Sequence, residues 1–477
     1  MPEQTIPNTS SQSLLALDNW LPIVGGIAAG IGAAALMAGE NWYLFAPLLL
    51  AIPAALLFIR YPFLAVMVWM LVFPFMVEMH GVGPRYIYWL VHRALIPGTF
   101  IFLFLRGLFS QRRRSLPFGL PDLFIVLFFL YVLANAFLLS RPRIPSFVHI
   151  YDRFLVPFCM YGILRLLAPG RADMLRLAPI AFVSLAVQCG VSFLSWFRPG
   201  VLPAYWLTNP GRTTGTLGTP AIYTGVLMVF ALLLLPAALE SKKWWLRGLL
   251  LTSVFLGFFG VFFSFSRGSW VGSVIVLIGL LRLYPSKMLR AAVVVAIVMV
   301  LAGSLFLQEE MNWASERLGS QKTAEGRIIN FVAGSSLAAA RPIFGWGYDN
   351  YNLNVARYTQ NVGSIWYEKI HSSHNSTLTI LAELGLVGLV LSALPALIWL
   401  HRSLKIRRQM PQQGFEGWPF LVMLWLCVLN LFAVSSFSDI VSTSNPTGLV
   451  FFWMALGLIA SLVDPYFERG QLRSQPS

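Results

Sequence analysis

Residues 219–239 read TPAIYTGVLMVFALLLLPAAL, a stretch that contains no charged side chain. A helix of about 20 apolar residues spans the hydrocarbon core of a bilayer, so this stretch predicts a transmembrane helix. Apolar stretches of similar length recur from residue 21 to residue 463. The sequence therefore predicts a polytopic membrane protein rather than several soluble domains.

The composition of the whole chain supports this interpretation. Of its 477 residues, 57% are hydrophobic and only 11% are charged, whereas soluble proteins carry about 25% charged residues. The formal net charge is +15, but the basic residues lie in short clusters between the apolar stretches. This distribution is typical of membrane topology and gives no indication of a nucleic-acid partner.

The apolar stretches predict an all-α fold with about 12–14 transmembrane helices. The two stretches on either side of residues 265–269 are short and nearly continuous, which leaves the number open. The predicted segments are 21–39, 41–59, 62–79, 88–105, 119–139, 147–168, 175–196, 219–239, 247–265, 269–284, 288–307, 375–400, 418–436 and 446–463.

The basic clusters predict the orientation of these helices. When the N-terminus is placed in the cytoplasm, almost every short basic cluster falls on the cytoplasmic side, as the positive-inside rule requires. Both termini are then cytoplasmic. The exception is SRPRIP, where Arg141 and Arg143 fall on the outer side. The N-terminus lacks a basic region and a cleavage site of the signal-peptide type, so no removable signal peptide is expected.

Three polar segments lie on the outer side in this topology. They are NPGRTTGTLGTP (209–220), FSFSRGSW (263–270) and the long loop 308–373. The long loop contains EGRIINF, which has helical character, and ARPIFGWGYDNYN, which is rich in turn formers and aromatic residues. Because a loop of this length is usually functional or disordered and its aromatic content argues against disorder, we expect a small folded cap over a cleft.

Each polar segment contributes one arginine that is a candidate anion ligand. These are Arg212, Arg267 and Arg327. The guanidinium group suits phosphate because its planar fork donates paired, charge-assisted hydrogen bonds, and a diphosphate is a plausible ligand. The alternatives are an interfacial anchor for Arg267 and solvated surface charges for Arg212 and Arg327.

His374 is the candidate for chemistry, within HSSHNSTLTILAELGLVGLVL (371–391). A neutral imidazole can take a proton from a hydroxyl near neutral pH. The alternative is a residue that only begins a helix, with Ser373 or Asn375 as its cap. His371 is a weaker candidate, and the acid Glu383 is either functional or a structural partner within the bundle. No metal-ligand cluster and no nucleotide-binding glycine motif is present, so neither a metal nor another cofactor is expected.

These residues also carry a resemblance to a known family. His374-Asn375 followed by Gly385-x-x-Gly388 resembles the histidine motif of the O-antigen ligase and polymerase superfamily. The RPIFGWGYDNY stretch, the SRGSW and GRTTGTLGTP segments and the long outer loop are similar to the ligase-type domain of that family. The resemblance is specific over about 205–390.

The resemblance implies a fold of the glycosyltransferase C type and a donor glycan carried on undecaprenyl pyrophosphate. It implies transfer to an acceptor hydroxyl on the periplasmic side of the bacterial inner membrane, without metal or ATP. The acceptor is lipid A–core for a ligase or a second lipid-linked glycan for a polymerase; ligase is our first expectation, and the two remain open. We expect N-terminal transmembrane helices over 1–204, the catalytic region over 205–400, and C-terminal helices with a cytoplasmic tail over 401–477.

Residues and resemblance together predict an inverting glycosyl transfer. His374 would act as general base, and Arg212, Arg267 and Arg327 would bind the pyrophosphate. Asn375 and Tyr348 are candidates for orienting the acceptor or the sugar. The alternative of another class is a transporter or flippase of lipid-linked glycan, which would show internal repeats and charges at the bilayer midplane; the sequence shows neither.

Overall fold

A computed structural model describes residues 56–79, 81–109, 118–141, 143–207, 212–287, 321–358, 373–441 and 445–474. These parts of the chain are helical and contain no β-strand. Nine helices among them are long and apolar enough to cross a membrane. The predicted class, an all-α polytopic membrane protein, is confirmed. The described residues from Ala65 onward form one compact unit.

We number the helices in chain order. They are α1 (Phe63–Met76), α2 (Gly83–Phe109), α3 (Leu120–Leu139), α4 (Arg143–Leu167), α5 (Arg171–Phe197), α6 (Pro220–Glu240), α7 (Trp244–Phe262), α8 (Arg267–Leu283), α9 (Gln321–Ala340), α10 (Tyr351–Val355), α11 (Ser376–Ile406), α12 (Trp418–Phe437) and α13 (Thr447–Ser474). Helices α2 and α4 each contain a π-helical turn, at Trp89–Leu95 and Tyr151–Leu155.

Most of the predicted transmembrane segments correspond to one of these helices. The nearly continuous pair 247–265 and 269–284 is two helices, α7 and α8, with a break between them. Three predicted segments fall wholly or largely outside the described residues, namely 21–39, 41–59 and 288–307.

Helix α6 lies at the centre of the bundle. It is buried from Pro220 to Ala238 and packs against α5, α7, α12 and α13. A helix that is apolar on every side has no face for water and is stable only when it is surrounded by apolar groups. The uncharged sequence of this stretch is therefore explained by its position inside the protein as well as inside the membrane.

Helix α11 is interrupted at Gly385, where the backbone adopts φ 66° and ψ −169°. The segment 342–347 fills the interruption with backbone hydrogen bonds. Trp346 N and Gly347 N donate to the carbonyls of residues 382 and 383 over 3.0 and 2.9 Å, and Leu386 N donates to the Pro342 carbonyl over 2.8 Å. Because an unpaired backbone group is costly away from water, these bonds make a break in a membrane helix tolerable.

Helix α3 holds the same segment from the other side. Tyr131 Oη donates to the carbonyl of residue 384 over 2.6 Å, and Asn135 Nδ2 donates to the Phe344 carbonyl over 2.9 Å. Asn135 Oδ1 accepts from Tyr348 N over 2.8 Å, and Ser140 Oγ donates to the Tyr348 carbonyl over 2.5 Å. The segment 341–350 is thus fixed between α3 and α11.

Part of the predicted cap is a folded unit. The helical character expected within residues 325–331 is confirmed, because these residues lie in α9. Apolar side chains from α9, α10 and the first turns of α11 form a small core, made of Ala333, Leu337, Ala338, Tyr351, Val355 and Ala382. This core joins α9 and α10 to the N-terminal part of α11; residues 308–320 and 359–372 of the loop lie outside the described residues.

The opposite end of the bundle contains a buried ionic network that the sequence did not indicate. Arg165 of α4 forms ion pairs with Asp122 at the start of α3 and with Asp464 of α13, the latter at 2.9 Å. Arg402 of α11 approaches Asp464 to 3.6 Å. The network therefore joins four helices far from His374.

We predict that Gly385→Ala destabilises the protein strongly. A Cβ at this position would lie 2.2 Å from the Ile343 carbonyl oxygen, and the backbone conformation is nearly restricted to glycine. We expect a loss of about 2–4 kcal/mol from strain and overpacking, measured as thermal or denaturant unfolding in detergent. Gly248→Ala is the matched control: no atom lies within 4 Å of its Cβ in α7, so stability should stay the same or rise slightly. Equal stability of the two variants would contradict the prediction.

Candidate functional site

Two of the three predicted arginines converge on the end of α12. Arg267 is the first residue of α8, and the next residue, Gly268, packs so tightly that a Cβ there would lie 2.4 Å from Phe437 Cβ. The Arg327 guanidinium of α9 lies over the Phe437 ring, 5.9 Å from its centroid. Partial burial and the positive charge of Arg267 both lower the pKa of Arg327. The two guanidinium groups therefore interact electrostatically near the end of α12.

His374 is exposed and directly precedes the cap of α11. Its backbone has φ 52°, in the left-handed region that histidine adopts only occasionally. Asn375 Oδ1 accepts from Leu378 N over 3.0 Å and so caps the helix. Ser373 Oγ accepts from Asn375 N over 2.9 Å. The local hydrogen bonds thus use the neighbours of His374 and hold its backbone in a bend.

Asp439 holds this bend in place with hydrogen bonds. It follows α12, is 3% exposed, and accepts hydrogen bonds from the hydroxyls of Ser373 and Ser376 over 3.3 Å each and from that of Thr379. It also accepts from Val441 N over 3.1 Å. A buried carboxylate is tolerated when hydrogen-bond donors compensate for the lost water. These bonds join the end of α12 to both sides of His374.

The electrostatic surroundings of His374 favour its neutral form. The protein packed around the imidazole lowers its pKa, and the positive charge of Arg327 lowers it further; the negative charge of Asp439 acts in the opposite direction. A lowered pKa leaves the imidazole unprotonated at neutral pH. His374, Arg327 and Asp439 are thus close enough to influence one another, although they come from three separate parts of the chain.

Arg212 lies at the same end of the bundle, in a loop that contacts the break between α7 and α8. Thr213 N donates to the Phe263 carbonyl over 3.4 Å. Helix α6, which follows this loop, is joined to α8 by a hydrogen bond of 2.5 Å between the hydroxyls of Thr224 and Ser269. The loop that carries Arg212 is therefore held against the break that carries Arg267.

The remaining candidates occupy supporting positions or lie outside the described residues. Tyr348 is 1% exposed, and its hydroxyl accepts a hydrogen bond of 3.3 Å from Arg153, so it is enclosed by protein. Glu383 is also buried, and its Oε1 accepts from Tyr351 N over 3.0 Å at the start of α10. Both contacts stabilise the segment that fills the break in α11. His371 is not among the described residues.

Sequence reasoning missed Asp439. The signal was weak but present: Asp439 is the only acidic residue between Glu416 and Asp464, and it directly follows a predicted transmembrane segment. A second missed group is Asn445, whose Nδ2 donates to Glu78 over 3.2 Å and to the Leu217 carbonyl over 3.1 Å. These bonds join the Arg212 loop to the start of α13.

Within the described residues, no three His, Cys, Asp or Glu side chains are grouped as metal ligands would be. What this end of the molecule offers instead is positive charge beside a neutral imidazole. The N-terminus of α8 begins at Arg267, and that of α11 begins two residues after His374. Helix N-termini carry partial positive charge, so they add to the field of the guanidinium groups. The arrangement can bind an anion and can accept a proton next to it.

One part of the chain matches a known protein family. Residues 252–393 match the model of the family described as O-antigen ligase, a range that runs from α7 into α11 and includes Arg267, Arg327 and His374. No relative is found among curated proteins. The expected resemblance over about 205–390 is confirmed for this part, and Arg212 lies outside the match. Residues 252–393 are therefore a region of the O-antigen ligase type within a multi-pass membrane protein, which supports an enzyme of the O-antigen ligase or polymerase type.

Proposed function

We propose that this protein transfers a glycan from undecaprenyl pyrophosphate to an acceptor hydroxyl, with lipid A–core as the first candidate acceptor. The observation that carries the proposal is the position of Arg327, whose charge lies close to Arg267 on one side and to His374 on the other, at one end of the bundle. A polymerase, which would transfer to a second lipid-linked glycan, has the same requirement for a donor site. The basic loops described above support a periplasmic location of this end in the bacterial inner membrane.

The arginine pair supports binding of a pyrophosphate. The positive charge of Arg267 lowers the pKa of Arg327, so holding the two guanidinium groups together has a cost, because like charges repel. A dianionic ligand between them would remove that cost and accept several charge-assisted hydrogen bonds. Arg212, in the adjacent loop, would extend the site. Positive charge at this place also stabilises the negative charge that develops on the pyrophosphate as it leaves. Such electrostatic stabilisation is usually the largest single contribution to the rate enhancement.

His374 supports the proton transfer. The acceptor hydroxyl must lose its proton as it attacks, and a neutral imidazole with a lowered pKa is available to take it. The negative charge of Asp439 stabilises the imidazolium that forms. Its hydrogen bonds to Ser373 and Ser376 also fix the bend around His374. In this role Asp439 is a positioning residue, because nothing places it in contact with a substrate.

The chemical step is then a single displacement. The acceptor oxygen forms a bond to the anomeric carbon while the bond from that carbon to the pyrophosphate oxygen breaks, and the leaving oxygen keeps the electron pair. The proton of the acceptor hydroxyl passes to His374 and from there to water. The configuration at the anomeric carbon inverts, and the sugar–pyrophosphate bond supplies the driving force without a nucleotide or a metal.

The first prediction concerns His374. We expect His374→Ala to lower the transfer rate by about 10²–10⁴, the usual contribution of a general base. The measurement is transfer by purified protein in detergent, with EDTA and without nucleotide, from undecaprenyl-pyrophosphate glycan to lipid A–core or to further donor. His401→Ala, an exposed histidine near the opposite end of α11, should keep full activity.

The outcomes of this assay separate the candidate functions. Growth of lipid A–core by a whole glycan indicates a ligase, and chain extension from donor alone indicates a polymerase. Full activity of His374→Ala at normal protein levels would contradict the proposed base. The absence of product with either acceptor would favour a transporter instead.

The second prediction concerns the pH dependence of the rate. Activity requires the neutral imidazole, so it should fall as the pH drops through the pKa of His374, and this acidic limb should lie below the ordinary histidine value. Asp439→Asn removes the charge that raises this pKa and should move the limb to lower pH. Arg327→Gln removes the charge that lowers it and should move the limb to higher pH. Shifts in the same direction, or none, would contradict the assignment.

The third prediction separates charge from geometry at the arginine pair. Arg327→Lys keeps the charge but loses the planar fork, and Arg327→Gln loses both. We expect the KM for the donor to rise about tenfold in the first variant and further in the second, because a charge-assisted hydrogen bond contributes about 1.5–3 kcal/mol. Arg357→Gln, at an exposed position beyond α10, removes the same charge and should leave the KM unchanged.

A further inference from the structure

A pocket lies outside the site described above. It is a groove of about 650 Å³ between α3 and the segment 341–345. Its walls are mostly apolar, and none of its lining residues is Arg267, Arg327, His374 or Asp439. The apolar lining is formed by Ala134, Leu138, Leu139, Pro342, Ile343 and Phe344.

The groove is preformed and its inner polar groups are already bonded. The Phe344 carbonyl accepts from Asn135 and Tyr131, and Tyr131 also donates to the carbonyl of residue 384. What remains at the surface is hydrocarbon: Leu138 is 67% and Phe344 is 60% exposed. In a protein that spans a membrane, such a surface is in contact with lipid chains, and a fixed apolar groove suits one chain.

Positive charge surrounds one end of the groove. Arg341 lines it, and its guanidinium stacks over the Trp346 ring at 4.1 Å from the centroid, which orients it. Arg141 and Arg143 follow directly after the groove-lining end of α3, and Arg143 lies over the Phe137 ring at 5.3 Å. All three arginines are exposed, and none forms an ion pair with a carboxylate in the described part of the chain.

Two of these arginines are an exception to the distribution of basic residues in the sequence. The SRPRIP segment places Arg141 and Arg143 on the side of the membrane where the positive-inside rule expects few basic residues. An anionic lipid has an apolar acyl chain and a negatively charged headgroup. The apolar groove matches the acyl chain, and the basic residues at its end, which topology does not require, match the headgroup. Arginine is suited to the phosphate because it donates paired hydrogen bonds.

We propose that this groove binds an acidic phospholipid of the surrounding membrane. One acyl chain lies against the apolar wall formed by α3 and the segment 341–345, and Arg341 binds the phosphate, with Arg141 and Arg143 adding to the local positive charge. The bound lipid fills the outer side of the segment that completes α11. This inference rests on the membrane fold and not on the proposed reaction.

Native mass spectrometry of the purified protein tests this proposal. The protein in detergent is titrated with phosphatidylglycerol or with phosphatidylcholine that carries the same acyl chains, and the retained lipid is counted. We expect preferential retention of phosphatidylglycerol. Arg341→Gln should weaken it about tenfold, the effect of losing one charge-assisted contact. Ala134→Trp, which fills the groove and leaves the arginines in place, should abolish retention of the lipid.

Matched controls separate this result from general effects of charge and bulk. Arg357→Gln removes an arginine away from the groove, and Leu130→Trp adds the same bulk at an exposed position of α3 outside it; both should retain the lipid normally. A thermal melt confirms that each variant is folded. The proposal is overturned if the two phospholipids are retained equally, or if Arg357→Gln weakens retention as much as Arg341→Gln. It is also overturned if undecaprenyl pyrophosphate displaces the phospholipid one for one, since the groove would then be a substrate site.

Discussion

The structure depends on the way in which the interruption of α11 at Gly385 is completed by the backbone of 342–347. A helix in a membrane cannot leave its backbone groups unpaired, and here the donors and acceptors released by the break are bonded by a segment about forty positions earlier in the chain. The close approach is possible because neither Gly385 nor Gly345 carries a side chain. A Cβ on Gly385 would lie 2.2 Å from the Ile343 carbonyl oxygen, and a Cβ on Gly345 would lie 2.2 Å from the Glu383 carbonyl oxygen. This contact fixes α9 and α10 against the beginning of α11.

The site follows from that arrangement. Once α9 is joined to α11 through the core of Leu337, Val355 and Ala382, Arg327 is held near His374. The end of α12 then provides the common support: Phe437 packs against Arg327 and against Gly268 at the start of α8, and Asp439 bonds to the residues around the histidine. The charges that would do the chemistry are therefore carried by elements whose positions are fixed by apolar packing and backbone hydrogen bonds.

The two ends of the bundle use buried charge in different ways. At the end opposite His374, Arg165 is paired with two carboxylates, so the positive charge is balanced within the protein and joins helices together. At the His374 end, Arg267 lowers the pKa of Arg327, so positive charge is concentrated there and favours an anionic ligand. A buried charge that is paired has its desolvation offset within the protein, whereas an excess of one sign favours a partner of the other sign.

The sequence by itself determined the fold class, the positions of most transmembrane helices and the helical character of 325–331. These are local properties, because hydropathy and capping depend on residues that are neighbours along the chain. Sequence also selected Arg267, Arg327 and His374, but only as side chains of suitable chemistry. The tertiary structure decided that Arg327 lies near both Arg267 and His374, that Asp439 holds the residues around His374, and that Tyr348 and Glu383 are enclosed supports. The physical reason is that these contacts join residues tens to hundreds of positions apart, and which of them form depends on how the helices pack.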